Sequence, residues 1–498
     1  MRLPPRHGLV ATLPALVSLV LAALAFAGAP GGPGEPSRQR RDAALEESFA
    51  AAVDTERLLR TVRELVALGP RMGGTPSGEA AAKDHEQRFA AAGLAPQSVV
   101  DPPLRAFQTL SLDAKVAVGE ESLALVDGML ALRTAAIPTC ELPLLADAAA
   151  APPGSDYALL LDLRALRGAP WPAKAPPRVV LAACEARLDT STPIASQPRG
   201  FQGTVLTVSK RETRWLRERL AGGSPRLSIA ASVFDQQASP RTVFADLPSA
   251  TPDAPLLLFC AHGDSDSGGP GADDNASGDA VVHELAAVFA QLARDEGLAL
   301  PVTLRFVIWG AEIHSSGAWR QRIEADGSAK RHAAIINFDQ AGTGAERDCI
   351  YFEPDNLALN APLIRHGLAL GEEYLGDEGF WSECTSNAAL GGTDSYVFAP
   401  GWQRGGGASD LPALTIFSAA FGSAEEPAAT PGFRSRGWKG DAQKIRIDYS
   451  RVYHETGDTP ANTTELEPWN MAWVTKAAGL LALRVANSPE TLAQLLAR

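Results

Sequence analysis

The stretch Leu256-Leu257-Leu258-Phe259-Cys260-Ala261-His262-Gly263-Asp264 decides how this chain reads. Its opening residues form an unbroken apolar run. That pattern suits a strand covered on both faces, not the alternation of a half-exposed one. Two polar groups, His262 and Asp264, stand at its carboxyl end. Shortly after comes Gly271-Ala272-Asp273-Asp274-Asn275-Ala276-Ser277-Gly278, which leads into an amphipathic helix over Asp279–Leu292. Val281, Leu285, Val288, Phe289 and Leu292 mark the inward face of that helix. The strand-then-helix rhythm continues through apolar runs at Thr303–Trp309, Ala333–Phe338 and Ala413–Phe417, with a closing helix from Pro468 to Val485. Such alternation predicts an α/β fold: a three-layer αβα core around a mixed, largely parallel central sheet.

Upstream, Asp42 to Ala95 reads as helical. Leu58, Leu59, Val62, Leu65 and Val66 recur at helical spacing, and Pro70-Arg71-Met72-Gly73-Gly74 breaks the pattern. A second helix is expected from Ser77 to Ala92, stopped by Gly93. Between Asp101 and Gln237 the character changes. Short apolar runs (Tyr157–Leu163, Arg178–Ala183, Thr204–Val208) alternate with Pro/Gly clusters, and one amphipathic helix runs from Lys210 to Leu220. The expected organisation is a discontinuous α/β domain, residues 42–100 and 245–498, carrying a β-rich insert at 101–244.

The N-terminus has Arg2 and Arg6, an apolar run from Gly8 to Ala29, and Ala25-Phe26-Ala27 as a small-x-small cleavage pattern. This predicts a signal peptide over residues 1–27 and a secreted or periplasmic protein; the alternative is an uncleaved membrane anchor. Residues 28–41 are Pro/Gly-rich and then basic, and read as a disordered lead-in. No second segment is apolar enough to span a membrane, so no stable insertion is expected once the leader is removed.

Composition narrows the function classes. The 498 residues carry 45 basic and 58 acidic side chains, a net charge of −13, and 45% hydrophobic residues. That hydrophobic share supports a packed core, and the acidic balance argues against a nucleic-acid partner, which would require a basic footprint. Five cysteines are too few for a disulfide scaffold. Cys140 with Cys184, and Cys349 with Cys384, are candidate pairs in an oxidising compartment, and Cys260 reads as a buried thiol.

Ligands in sheets of this kind bind beyond the carboxyl ends of the strands. There the chain offers His262 and Asp264, then Asp274, then Glu312, then Asp339. Imidazole and carboxylate together suit Zn²⁺ in an open site. Asp264 reads as the acceptor for the second ring N–H of His262, fixing its tautomer, and not as a ligand. His85, His283 and His332 read as surface or helix-face residues.

Ala261–Asp264 followed by Gly271–Gly278 resembles the hallmark of the M28 family of zinc peptidases, and Tyr453-His454-Glu455-Thr456-Gly457-Asp458-Thr459 is similar to that family's final His-containing motif. The resemblance covers residues 42–100 and 255–485. It implies a two-zinc site in which His262 and Asp339 hold one ion, His454 holds the other, and Asp274 bridges them. It also implies a proton-shuttling Glu312, a Tyr453 hydroxyl that stabilises the oxyanion, and a peptide or protein substrate. The insert resembles, weakly, the protease-associated domain such enzymes often carry.

The resemblance fails at one place. The family has two adjacent glutamates after the second strand, a base and then a ligand; here the pair reads Glu312-Ile313. Counted from the strand, Glu312 is the base and Ile313 replaces the ligand. Counted back from Gly317, Glu312 becomes the ligand and Ala311 replaces the base. The first count fits the strand better, because loops absorb deletions. Loss of the ligand leaves one zinc as the alternative to two, with His314 as a candidate substitute. A second departure is Thr393-Asp394-Ser395, where relatives often have Ser-Asp-His. The expected activity is that of a zinc metallopeptidase, an aminopeptidase above all. The alternatives are a catalytically impaired binding protein of the same fold and a single-zinc glutaminyl-cyclase-like aminoacyltransferase.

Overall fold

The apolar runs become strands with both faces covered. Every residue of Leu256–His262 and of His332–Phe338 is buried. In the computed structural model the described residues are 35–166, 176–184, 189–265, 268–342, 349–354, 356–374, 382–384, 392–398, 410–419 and 452–497. The leader at 1–27 and the start of the expected lead-in lie outside them. From Glu35 the lead-in is helix, Glu35–Ala52, where disorder was expected. The chain forms two compact units, Met1–Leu45 and Glu46–Arg498; the described part of the first is the start of that helix.

Within the second unit, one eight-stranded sheet runs in the order Gln97–Val100, Arg241–Leu247, Thr303–Trp309, Leu256–His262, His332–Phe338, Ala413–Ala419, Cys349–Pro354, Ser382–Cys384. Its four central strands, from Thr303–Trp309 to Ala413–Ala419, are parallel; antiparallel pairs flank them. The sheet is therefore mixed with a parallel centre, as the βα alternation predicts. Alternate side chains of the central strands go to opposite faces. Leu258, Cys260, Val307, Trp309 and Ile335 pack with Trp319 and Ile323 of the helix His314–Ala325. Phe259 instead stacks with Phe306 and Phe338 and meets Phe289 of the helix Gly278–Asp295. Helices thus cover both faces, and the carboxyl ends of the parallel strands share one edge.

A second eight-stranded sheet belongs to the insert. Its order is Glu121–Ala124, Leu104–Val118, Arg226–Ala238, Ile137–Leu145, Ala158–Asp162, Val179–Ala183, Thr204–Val208, Met129–Leu130. It has its own apolar core, with Val116, Leu181, Leu206 and Ile229 among the buried residues. The helix Lys210–Leu220 starts on a capping box made by Ser209 and Glu212. The chain leaves the first sheet after Val100 and rejoins it at Arg241, so a division at 244/245 falls inside the strand Arg241–Leu247.

Cys140, Cys184 and Cys260 are free thiols, so the candidate Cys140–Cys184 disulfide is not formed. Burial pushes the Cys184 thiol up to about 12, which makes it inert. The Cys349–Cys384 pairing lies outside the described side chains. Among the described residues no helix is long and apolar enough to cross a membrane.

Candidate metal centre

The parallel strands deliver their terminal polar groups to one point. His262 ends the strand Leu256–His262, fully buried, with Nδ1 3.0 Å from the Asp264 carbonyl oxygen and 3.2 Å from its Oδ1. An Nδ1–H donating to Asp264 leaves Nε2 as the lone-pair nitrogen. That Nε2 is buried without a hydrogen-bond partner, 3.4 Å from Asp274 Oδ1 and 3.7 Å from Asp339 Oδ1. Asp339, just past the strand His332–Phe338, is 9% exposed, and its Oδ1 has no hydrogen-bond partner either. Glu312 completes a cluster: ligand atoms of His262, Glu312 and Asp339 all lie within 4.8 Å of one another.

Asp274 faces two imidazoles, with Oδ1 towards His262 and Oδ2 3.1 Å from His454 Nε2. The Tyr453 ring stacks on the His454 ring at 3.7 Å between centroids. The seven residues singled out by sequence are therefore brought to one place.

Electrostatics ties the cluster together. Burial lowers the His262 pKa, but Glu312, Asp264, Asp274 and Asp339 outweigh it and raise the ring well above its ordinary value. Burial raises Asp274, yet His262 and His454 hold it well below the usual carboxylate range. Four carboxylates around a buried imidazole, with orphaned Nε2 and Oδ1 atoms aimed inward, form a set that a divalent cation satisfies. The mixed nitrogen and oxygen donors fit Zn²⁺.

The supporting shell was mostly invisible in the sequence. Arg71, read there only as part of a helix break, is fully buried. Its guanidinium donates to the carbonyls of Gly263 (3.3 Å), Pro270 (2.9 Å) and Gly271 (2.7 Å), and its backbone N–H donates to Ser265 Oγ. It thereby staples the loop between His262 and Asp274. Gly271 sits at φ +60°, and a Cβ there would come within 2.6 Å of the Asp274 carbonyl oxygen; the turn needs glycine. Asp458 accepts the backbone N–H groups of Asp273 (2.9 Å) and Asp274 (3.1 Å). Asn275 donates to the Phe338 carbonyl and accepts from Gly278 N–H, tying the octet to the strand that carries Asp339. The Asp274–Asn275 peptide is cis.

The Glu312 loop is held from two sides. Asp264 Oδ1 accepts Glu312 N–H at 3.0 Å, and Asp394 Oδ1 accepts Ile313 N–H at 2.7 Å and Ser316 Oγ–H at 2.5 Å. Burial pushes Asp394 up to about 7. Ile313, at φ +58°, turns its side chain onto the apolar cluster of Trp309, Val397 and Phe398. His314 donates from Nε2 to the Pro102 carbonyl at 2.7 Å. Its ring is engaged there, so the expected substitute ligand stands in a different contact.

Three histidines expected on the surface or a helix face are buried: His85, His283 and His332. His85 Nδ1 lies 2.9 Å from His283 Nε2, and its Nε2 is 3.8 Å from the buried Asp279. Small residues around His85 in the helix Pro76–Ala91 conceal an inward face that includes Ala81, Ala82 and Phe89.

Residues 242–478 match the model of peptidase family M28. No curated protein matches the chain. Solved structures share its fold. One is the M28 peptidase precursor from Shewanella amazonensis, 16% identical, covering 90% of this chain and 98% of that chain at a TM-score of 0.60. Another is BSAP, a zinc aminopeptidase from Bacillus subtilis, 14% identical, covering 88% and 96% at 0.54. A putative peptidase from Clostridium acetobutylicum is 11% identical, covering 90% and 84% at 0.54.

Proposed function

We propose, from the match of residues 242–478 to peptidase family M28 as premise, that this chain is a zinc metallopeptidase that removes the first residue of peptides. The observation that carries this is the meeting of His262, Glu312 and Asp339 beside Asp274 and His454 at the ends of parallel strands. His262, Asp339 and Asp274 are the residues to hold zinc, with His454 on the far side of Asp274. Zinc held there supplies Lewis acidity towards a peptide carbonyl and towards water. Glu312 takes the proton from the attacking water and delivers it to the leaving amine. Asp264 keeps the His262 lone pair on Nε2. The Tyr453 hydroxyl donates to the oxyanion that forms as the carbonyl is attacked.

One observation favours a second reading, a site with a single tight ion and reduced turnover. Ile313 contributes no ligand, and His314 is tied to Pro102. Both readings meet the same test: hydrolysis of aminoacyl anilides and short peptides by wild type and by Glu312→Gln. A loss of at least about 100-fold in kcat in the variant, with its fold intact, supports Glu312 as base. Absence of turnover by wild type on every peptide overturns the enzyme reading. We also propose an extracytoplasmic location from the leader pattern at Met1–Ala27. Recovery of the intact N-terminus from the cytoplasmic fraction would contradict it.

A further inference from the structure

The insert reaches the metal centre through a short strap, Ser191–Ile194. Ile194 N–H donates to the His454 carbonyl at 3.1 Å, and Thr456 N–H donates to the Thr192 carbonyl at 3.0 Å. Thr192 N–H donates in turn to Thr456 Oγ1 at 2.9 Å, and Pro193 pairs antiparallel with Glu455. Packing is close: a Cβ on Gly457 would run into Ser191 Oγ, and one on Gly269 would come within 3.0 Å of Ile194 Cδ1. His454 itself sits at φ +53°, in the left-handed region that non-glycine residues disfavour. The strap's hydrogen bonds to the His454 carbonyl and to Thr456 hold the chain as it leaves that turn.

Held this way, the partly exposed Ile194 side chain lines the small cleft that also contains Asp274, His454 and Glu455. An aliphatic group beside ion-holding residues provides contact area and no chemistry. We infer that the insert completes the substrate pocket: Ile194 is a specificity-determining residue, an apolar wall for an apolar substrate side chain next to the scissile bond. Glu455 on the same rim disfavours acidic side chains there. The inference rests on the peptidase reading for its substrate class.

The test compares wild type with Ile194→Ala, Ile194→Val and Ile194→Met, all zinc-loaded. Alanyl, leucyl, phenylalanyl and glutamyl anilides are assayed, and L-alanine and L-leucine hydroxamates are titrated calorimetrically. Wild type is expected to prefer leucine over alanine and to reject glutamate. Ile194→Ala is expected to lose about 10-fold of the leucine-over-alanine ratio in kcat/KM and in hydroxamate Kd, and Ile194→Val less. If the alanine variant does not fold, the valine and methionine variants decide. Thr456→Val, which removes the acceptor for Thr192 N–H, shifts the ratio in the same direction, and Thr456→Ser retains it. A ratio unchanged across the Ile194 series overturns the inference. A wild type that binds the hydroxamates but turns over nothing overturns the peptidase reading instead, and the hydroxamate ratio then decides the wall alone.

Discussion

Arg71→Lys tests whether the loop before Asp274 is built by one buried side chain. Arg71 is 0% exposed and satisfies three carbonyl oxygens, of Gly263, Pro270 and Gly271. A guanidinium spreads its donors in a rigid fork, whereas an ammonium is a single point. The Gly271 carbonyl also accepts the Ala276 N–H and stays paired, so the carbonyls at risk are those of Gly263 and Pro270, and a lysine that reaches one of them leaves the other buried and unpaired. The loss is about 1–3 kcal/mol. Total stability is of the order of 5–15 kcal/mol, so the variant stays folded. The loop carries Asp274, which faces both His262 and His454, so zinc affinity falls with stability. Urea unfolding at neutral pH and competitive zinc titration measure the two effects. A change below about 0.5 kcal/mol, the range of ordinary surface substitutions, with unchanged zinc affinity would refute the stapling role.

Other outcomes follow from the same geometry. Ile313→Glu puts a carboxylate at the sequence position where the Glu-Glu pattern has its second ligand, and burial of a charge against the apolar cluster that holds Ile313 drives it out towards the metal centre; elemental analysis is expected to find one tightly held zinc per chain in wild type and two in the variant, and equal content would count against Ile313 as the missing ligand. Asp279 is buried and its carboxyl is pushed up to about 8 by burial. The folded chain then keeps a proton that the unfolded chain loses near pH 4, so this group's contribution is fully present below pH 4 and is lost as pH rises towards 8. Asp279→Asn removes that slope: its stability relative to wild type should climb between pH 4 and 8 and flatten above, and a flat difference curve would contradict it. The neighbouring His85, lowered to about 3 by burial, acts in the opposite sense below its ordinary value of 6.5, so the climb is read between pH 6.5 and 8.

The fold was legible where burial on both faces leaves a continuous apolar run, as at Leu256–His262 and His332–Phe338. The candidate site was legible because the polar residues that end those runs are few. What escaped is instructive. Arg71, Asp394 and Asp458 act on backbone groups far away in sequence, and a backbone amide leaves no mark on the residue types that will bond it. Asp458 and Asp394 did lie inside quoted motifs, so proximity to a ligand was the available signal. The inward face at His85 is masked by small neighbours that blur the helical period, and His283 is buried because His85 and Phe89 of another helix cover the side of its own helix that the period marks as outward. The edge of the insert was blurred likewise: the strand Arg241–Leu247 pairs antiparallel with Thr303–Trp309, outside the βα rhythm that reveals the central strands.

The most direct measurement on the metal centre is reconstitution. Chelator-stripped protein is titrated with zinc while bound metal and hydrolysis of a leucyl anilide are followed together, alongside His262→Ala. Hydrolysis is expected to appear in step with the first tightly bound equivalent and to be absent in the variant, which should also lose that equivalent. Stripped protein that hydrolyses the anilide at the full rate, or a His262→Ala variant that binds zinc as tightly as wild type, would contradict a zinc peptidase centred on His262.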